Sequence, residues 1–397
     1  MHLSARLPKV EPLHIELPTQ CPRRDPKNPK KKCNGTHFKL HQQTCRKPLR
    51  DPRQTQVTAR RYRCLKCNRT FRVYPTGVSQ AHQSDTLKGL SVLLYVLGLS
   101  YQGVADLLDA LQHPLSQATV YANVQASGQR AIALRQQWCK HQNCQVLGMD
   151  FTHVKCKGED KIVAVATAIL TGEPLDFEIV QSESALHAER WIRDIARTVG
   201  AEILVTDDAD GLKTVADDLD LQHQICRAHV NRNVHDLLGA IGEQALEHPD
   251  PVPTELQGTD LTVDQFLDDV QTVEHTLTTL PADGQAQLTQ LTTRYQYARP
   301  PTLGHRATMW YRMRLLTLDW SENWTRLAFY QKWRGAHGEQ LDGTNNVTEQ
   351  IIGQRIKERY RTMRGYKRQA SILNVSSLTA WLGMKGHADE LSRVVAA

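Results

Sequence analysis

The sequence has little aromatic content, no long apolar run and no regular cysteine spacing, and each shortage removes a class of protein. Aromatic residues fill 6% of the 397 positions and hydrophobic residues 40%. This suffices for two or three domains with at least one sizeable core. No stretch approaches the roughly 18 consecutive apolar residues that cross a bilayer. The best of them, SVLLYVLGL at 91–99, is short, flanked by polar residues, and reads as a buried helix. No membrane partner is expected. The nine cysteines are odd in number and irregularly placed, which argues against a disulfide framework. The opening MHLSARLPKV has no apolar segment of the kind secretion uses, so the expected location is cytoplasmic, with the nucleoid in a prokaryote.

Acidic residues are scarce at one end only. Residues 1–75 hold nineteen Lys and Arg against four Asp and Glu, while the whole chain is only +7, so the remainder is net acidic. A basic end on an acidic body suits a polyanion partner for the one and acid chemistry for the other, although a solvated tail is the plainer reading. Within this basic region, 1–78, Cys64 and Cys67 in CLKC have the two-residue gap that aims both thiolates at one tetrahedral Zn²⁺. Cys21 and Cys33, in CPRRDPKNPKKKC, are the favoured second pair because a CP start resembles the first knuckle of a zinc ribbon. That knuckle is stretched by an insertion, so His37 or Cys45 remain alternative ligands. One structural Zn²⁺ is expected. A lone CxxC, redox-active or idle, competes with this reading.

Residues 79–140 read as helices. Leu87, Leu90, Leu93, Leu94 and Leu97 recur at helical spacing and Gly98 ends that helix. Ser100 can cap a second helix carrying Val104, Leu107 and Leu108, and Pro114 and Ser116 introduce a third, SQATVYANVQ. This is the order of a helix-turn-helix, with Gln117, Thr119, Tyr121 and Asn123 as candidates for base edges or phosphates. Three amphipathic helices in plain packing would read the same way; the basic cysteine-bearing region beside them favours DNA.

From residue 145 the period changes. QVLGMDFTHVKC, KIVAVATAIL and PLDFEIVQSES are successive β-rich runs, and AEILVTDD is a fourth after the amphipathic ALHAERWIRDIARTVG. The predicted class is α/β, with the element order of a ribonuclease H-like mixed-sheet domain. Asp150 interrupts the first apolar run and Asp207 follows the fourth. An acid inside an apolar strand must recover its desolvation cost, and a divalent cation is one way to do so. A strand-end Asp capping a turn is the bland alternative.

Further on, CRAHVNRNV sets Cys226 and His229 three apart at a helix start, and DGTNNVTEQIIGQRIKERYRTMRGYKR places Glu349 near the start of a basic helix. One Cys and one His are two ligands short of a structural zinc site. The succession of Asp, Asp, CxxH, long insertion and Glu resembles the DDE transposases, and more narrowly the Mutator-like group with its insertion-sequence relatives, over residues 145–370. VTDDADGLKTVADDL resembles that group's second-acid block. It departs from the usual Ser-Asp-Gly, leaving Asp208 or Asp210 to compete with Asp207.

The resemblance implies a catalytic domain over 141–238 and 336–385 interrupted by an α-helical insertion at 239–335. It implies two Mg²⁺ (or Mn²⁺) held by Asp150, Asp207 and Glu349, with Asp150 between them, for in-line attack on DNA phosphodiesters. Cys226 and His229 would wall the site and touch DNA, with Arg232 and Asn233 a turn further on and Arg355, Arg359, Arg361, Arg364 and Lys367 along the final basic segment. A buried Cys and His packing a helix start is the plainer alternative. Trp320 and Trp324 are candidates for stacking on a displaced base, though tryptophan at such spacing usually packs a core. Double-stranded DNA, as transposon ends and target, and a homodimer or larger assembly are the implied partners. Two other functions fit the same residues: a catalytically idle DNA-binding regulator, and a nuclease or resolvase of the same fold without strand transfer.

Overall fold

A computed structural model describes residues 5–25, 28, 30–183, 185–253, 256, 261–363, 365–384 and 390–395. The chain divides into two compact units. One comprises residues 1–138, 154–161 and 353–397, the other 139–153 and 162–352.

In the first unit, β1 (Phe38–Pro48), β2 (Gln56–Cys64) and β3 (Thr70–Val73) form an antiparallel sheet in that order. Phe38 meets Phe71 edge to face, and Tyr62 and Phe71 pack with Cys21, Cys33 and Cys64 into a small core. Three helices follow: α1 (Asp85–Val96), α2 (Tyr101–Ala110) and α3 (Gln117–Cys139). Ser84 caps α1 by accepting from Leu87 N, and Ser100 caps α2 by accepting from Gly103 N, as the sequence predicts for Ser100. The third helix is longer than its ten-residue sequence pattern suggests: the run ASGQRAIALRQQWC continues the turns through Ser127 and Gly128, where Gly128 lies against Asn374.

The second unit holds β4 (Val146–Cys156), β5 (Glu159–Ala168), β6 (Glu173–Val180), α4 (Ala185–Val199), β7 (Ile203–Thr206), α5 (Asp210–Asp218), β8 (Gln222–Ile225) and α6 (Arg227–Glu247). The hairpin tip, residues 154–161, groups instead with the first unit. That tip turns at Lys157-Gly158, both with positive φ, the two-residue form that matches strand twist. The sheet order is β6-β5-β4-β7-β8, mixed in direction: β5 and β6 are antiparallel, while β4, β7 and β8 run parallel.

The insertion is helical, with α7 (Val263–Thr279), α8 (Gly284–Arg294), α9 (Met309–Glu322), α10 (Trp324–Leu327) and α11 (Phe329–Lys332). Phe266, Tyr295 and Trp310 pack mutually in its core, and the buried Asp269 is satisfied by the Tyr295 hydroxyl at 2.6 Å and by Arg294. A buried carboxylate so paired is expensive to break but no sign of catalysis.

The chain then forms α12 (Asn346–Ile351), a π-helical turn Ile352–Lys357, α13 (Glu358–Met363), α14 (Gln369–Leu382) and α15 (Glu390–Val395). Residues from 353 onward cluster with the first unit. The cause is a close fit of α14 on α3: a Cβ at Gly128 would fall 2.4 Å from the Asn374 carbonyl oxygen, and Arg135 donates to Ser377. Among the described residues no helix is long and apolar enough to cross a membrane.

Candidate functional site

Strand β4 is buried through Val146–Met149 and becomes half-buried at Asp150, where the sheet's apolar cover ends. It pairs in parallel with β7 as Val146↔Ile203, Leu147↔Leu204 and Gly148↔Val205. Asp150 lies two residues past the last residue of β4 paired with β7, and Asp207 directly follows β7, near enough for its charge to act on Asp150. Both acids therefore sit at the carboxyl edge of parallel strands, where open α/β sheets present ligand sites. Strand β8 ends at the same edge, and Cys226, whose N–H donates to Thr206 O at 2.7 Å, starts the helix that carries His229.

Glu349 is brought to this edge by a clamp the sequence reading missed. Asn345, fully buried, donates through Nδ2 to Met149 O at 2.8 Å and accepts from the Thr348 hydroxyl at 2.5 Å, while Thr348 also meets Thr167 at 2.6 Å. These bonds fasten the start of α12 across β4. The close approach explains Gly148: a Cβ there would lie 2.5 Å from Thr348 Oγ1 and 2.8 Å from Asn345 Oδ1. The doubled Asn of TNNVTEQ ahead of a helix was the available signal.

The result is a cluster in which ligand atoms of Asp150, His229 and Glu349 all lie within 4.8 Å of one another. Asp207 is not in that group. Its Oδ1 accepts from Ala209 N at 3.3 Å, turning the carboxylate toward its own helix start, while it still acts electrostatically on Asp150. The 4.8 Å group is thus two acids and a histidine, with the third acid, Asp207, adjacent to it. Neither Asp208 nor Asp210 takes that place among the described residues; Asp208 accepts from Asn233 at 3.5 Å and Asp210 pairs with Lys213.

Burial pushes the Asp150 carboxyl up to about 6, against the Phe151 N–H and His229, with Asp207 and Glu349 adding to the rise. Burial also raises Asp207. The Cys226 sulfur, followed by the Asp150 and Glu349 charges, holds His229 up to about 9 despite its burial. His229 Nε2 approaches Glu349 Oε1 at 3.3 Å, an ion-pair distance without hydrogen-bond alignment. Glu349 Oε1 and His229 Nδ1 are accordingly buried with no hydrogen-bond partner among the described residues. Carboxylates that repel each other beside an orphaned oxygen suit a divalent cation, so the donor set fits Mg²⁺ or Mn²⁺.

Other expected contacts are distributed unevenly. Cys226 has no exposed surface and its sulfur accepts from Asn345 N at 3.1 Å, so it braces the clamp and cannot touch DNA. His229 faces carboxylates where a phosphate contact was expected. Arg232 and Asn233 are exposed on α6. In the first unit Gln117 is exposed, Thr119 bonds the capping Ser116 at 2.9 Å, and Tyr121 is half-buried. Asn123 is buried instead, donating to Ser91 and Gln83. Arg361 and Lys367 are exposed, whereas Arg355 donates to Gly383 O and Arg359 is buried; Arg364 lies outside the described residues. Trp320 and Trp324 are 3% and 7% exposed in the insertion core, where Trp324 packs on Gly284, which corrects the base-stacking expectation.

The four thiols of Cys21, Cys33, Cys64 and Cys67 converge, each offering a ligand atom within 4.8 Å of the others. His37 and Cys45 are outside the group. The turns that carry these thiols are built by backbone bonds, Cys21 N to Gly35 O and Asn68 N to Cys64 O, with Asn68 at φ 59°. A Cβ on Gly35 would strike Cys64 Sγ at 2.6 Å, so the turn leaves room only for sulfur. Burial raises Cys21 to about 12, whereas N–H groups of Cys67 and Lys66 overcome burial at Cys64 and bring it to about 7. The neighbouring sheet sets Lys39 opposite Arg63 and Arg61 opposite Arg72. Like charges directly opposed destabilise a ladder, and a bound polyanion would relieve them.

No family model matches the chain, and no curated protein matches it. Among solved structures it is similar to the catalytic core domain of HTLV-2 integrase in complex with magnesium, dimeric form. That match has 13% identity and a TM-score of 0.19, covering 32% of this chain and 83% of the other. The catalytic core domain of BIV integrase matches at 14% identity and a TM-score of 0.18, covering 50% of this chain and 91% of the other.

Proposed function

We propose that this chain is a DNA transposase of the insertion-sequence kind, a metal-dependent polynucleotidyl transferase that cuts DNA at transposon ends and joins the ends to a target. The single observation that carries the reading is the convergence of Asp150, His229 and Glu349 at the carboxyl edge of a parallel strand pair, with Asp207 adjacent. The order of strands and helices around it is that of a ribonuclease H-like domain.

Asp150, Glu349 and Asp207 would hold Mg²⁺ or Mn²⁺, which when bound supplies Lewis acidity for in-line attack on a phosphodiester by water or a 3′-hydroxyl. The chain's own groups set the stage for that attack. Asn345 and Thr348 hold Glu349 at fixed distance from β4, so little reorganisation remains when DNA arrives. His229, held up to about 9 beside Cys226, Asp150 and Glu349, balances the charge of the acids. The Cys₄ knuckles, holding one Zn²⁺, would stiffen the basic three-stranded sheet, and with α1 to α3 as a helix-turn-helix would bind the duplex, mainly through phosphates. Pairing two ends at one target favours two such chains, so a dimer or larger assembly belongs to the reading.

The test is purified full-length protein with DNA bearing the inverted repeats that flank its coding sequence, assayed with Mg²⁺ or Mn²⁺ for nicking and for joining to a plasmid. Nicking at the repeat ends followed by joining is expected. Nicking without joining would assign a nuclease or resolvase, and neither activity would leave a DNA-binding regulator.

A further inference from the structure

The first unit contains a cavity of about 510 Å³ that the catalytic reading does not use. Its volume falls in the small-ligand range of about 300–1,000 Å³. Tyr95, Tyr101 and Tyr121 form an aromatic cluster beside it, with Tyr95 stacked on Tyr101 at 4.3 Å and Tyr121 edge-on to Tyr101 at 5.3 Å. Arg359, Lys367 and Arg368 line it too, and among the described lining residues there is no Asp or Glu. Tyr95 is buried between Tyr101 and Arg359, so whatever enters meets the half-buried rings of Tyr101 and Tyr121 and positive charge together.

Arg359 makes the preference for an anion specific. It is 4% exposed, its guanidinium lies 4.0 Å from the Tyr95 ring centroid, and its terminal nitrogens donate to the carbonyls of Gly98 and Leu99. Its Nε has no hydrogen-bond partner and no carboxylate pairs with it among the described residues. A buried cation without a counter-ion is costly to keep. Two helix starts add to the field: Ser100 caps α2, and Gln117 and Ala118 open α3, all three at the cavity wall.

Phosphate alone would need the cations but not the tyrosines; an apolar ligand would need the tyrosines but not the cations. A nucleotide needs both. We propose that this cavity receives one unpaired nucleotide of bound DNA, its base against the tyrosine cluster and its phosphate toward Arg359, Lys367 and Arg368. Gln117 and Tyr121, which line the cavity, lie on the exposed start of α3 that the DNA-binding reading assigns to the duplex, so an extruded nucleotide reaches it without leaving the complex. The inference rests on that reading of the chain as a DNA-binding protein.

The test uses the full-length zinc-loaded protein without Mg²⁺ and two duplexes of one sequence, one fully paired and one with a single unpaired 2-aminopurine. Anisotropy should give ~10-fold tighter binding of the duplex with the unpaired base, the size expected for stacking one base on an aromatic ring, with quenching of 2-aminopurine fluorescence. Tyr121→Ala and Lys367→Glu should each bring the affinity ratio toward one, and Tyr121→Phe should keep it. Lys367 is exposed, so its variant decides if Tyr121→Ala fails to fold. Equal affinity of the wild type for the two duplexes, or a ratio unmoved by Lys367→Glu, overturns the proposal. So does displacement by free dAMP without any preference for the unpaired duplex, which would mark a site for free nucleotide. Failure to bind either duplex sinks the DNA reading itself, whereas tight paired binding without the preference sinks this inference alone.

Discussion

His229 Nε2 lies 3.3 Å from Glu349 Oε1 while Asp150 stands within 4.8 Å of both, so the cation of this cluster in the absence of metal is a histidine. Asp150, raised to about 6 mainly by burial, is destabilising when ionised at neutral pH. Each pKa unit is worth about 1.4 kcal/mol, so Asp150→Asn should stabilise the second unit by up to roughly 2–3 kcal/mol. The same change should cut Mg²⁺-dependent nicking by about 10³-fold or more, as loss of a catalytic carboxylate ligand would. Urea midpoints and nicking rates for Asp150→Asn and Glu349→Gln check this. Loss of stability with full activity in either variant would contradict the assigned role.

Metal should also register as stability. A ligand that binds only the folded form adds about 2.7 kcal/mol at a hundred times its dissociation constant. Mn²⁺ should raise the melting temperature of the wild type and leave that of an Asp150→Asn, Glu349→Gln double variant unmoved. Equal shifts in both proteins would place the binding elsewhere.

The Cys₄ group should bind one Zn²⁺ per chain, measurable by elemental analysis. Zinc would ionise all four thiols, including Cys21, which burial first, then Cys64 and Cys67, push up to about 12. Removing the metal with a strong chelator, or Cys64→Ser, should unfold the β1–β3 sheet and weaken duplex binding, with the catalytic domain's nicking of non-specific DNA less affected. A metal-free protein with full duplex affinity would overturn the zinc reading.

How much of this was readable from the sequence depends on the range of the interaction. Asp150 and Asp207 were legible because an acid breaking an apolar strand is a local pattern, and Cys64 and Cys67 because their spacing is. The clamp by Asn345 was not, since its partners Met149 and Thr348 are set by where α12 lands on β4. The turning of Asp207 toward Ala209 depends on one rotamer, which no spacing reports. Trp320 and Trp324 show the converse: an aromatic run that reads equally as surface or core is decided by the neighbours it finds, here the insertion's own helices.

Asn345 is a positioning residue, and its removal should separate stability from binding. Asn345→Ala strands the Met149 carbonyl in a buried place and leaves the Thr348 hydroxyl only its Thr167 partner, a loss of about 1–3 kcal/mol. Because Glu349 then loses its fixed approach to β4, kcat for nicking should fall while the KM for DNA holds. Asn345→Asp, which keeps the acceptor but not the donor, should rescue neither. A change in KM alone would mean that Asn345 serves DNA contact and not the carboxylate.

A last prediction concerns acid. His223 is 5% exposed; its Nε2 lies 2.9 Å from the Thr206 hydroxyl, which itself donates to Asp207 O. The imidazole must therefore donate through Nε2 and accept at Nδ1 from Arg326, which Asp217 fixes with two bonds of 2.8 Å. Burial first, then the Arg326 and Lys213 charges, opposed by Asp217, depress its pKa from 6.5 to about 3. The unfolded chain takes up a proton near pH 6.5 that the folded chain refuses until near pH 3. The stabilisation from keeping His223 neutral is thus complete above 6.5 and is lost as pH falls toward 3, by about 1.4 kcal/mol per unit. Gln can reproduce both side-chain bonds without titrating. Between pH 6.5 and 5, the stability of the wild type relative to His223→Gln should fall by about 2 kcal/mol in urea titrations followed by tryptophan fluorescence. Parallel pH profiles for the two proteins would mean that His223 is protonated in the folded state, and that Arg326 is not its neighbour.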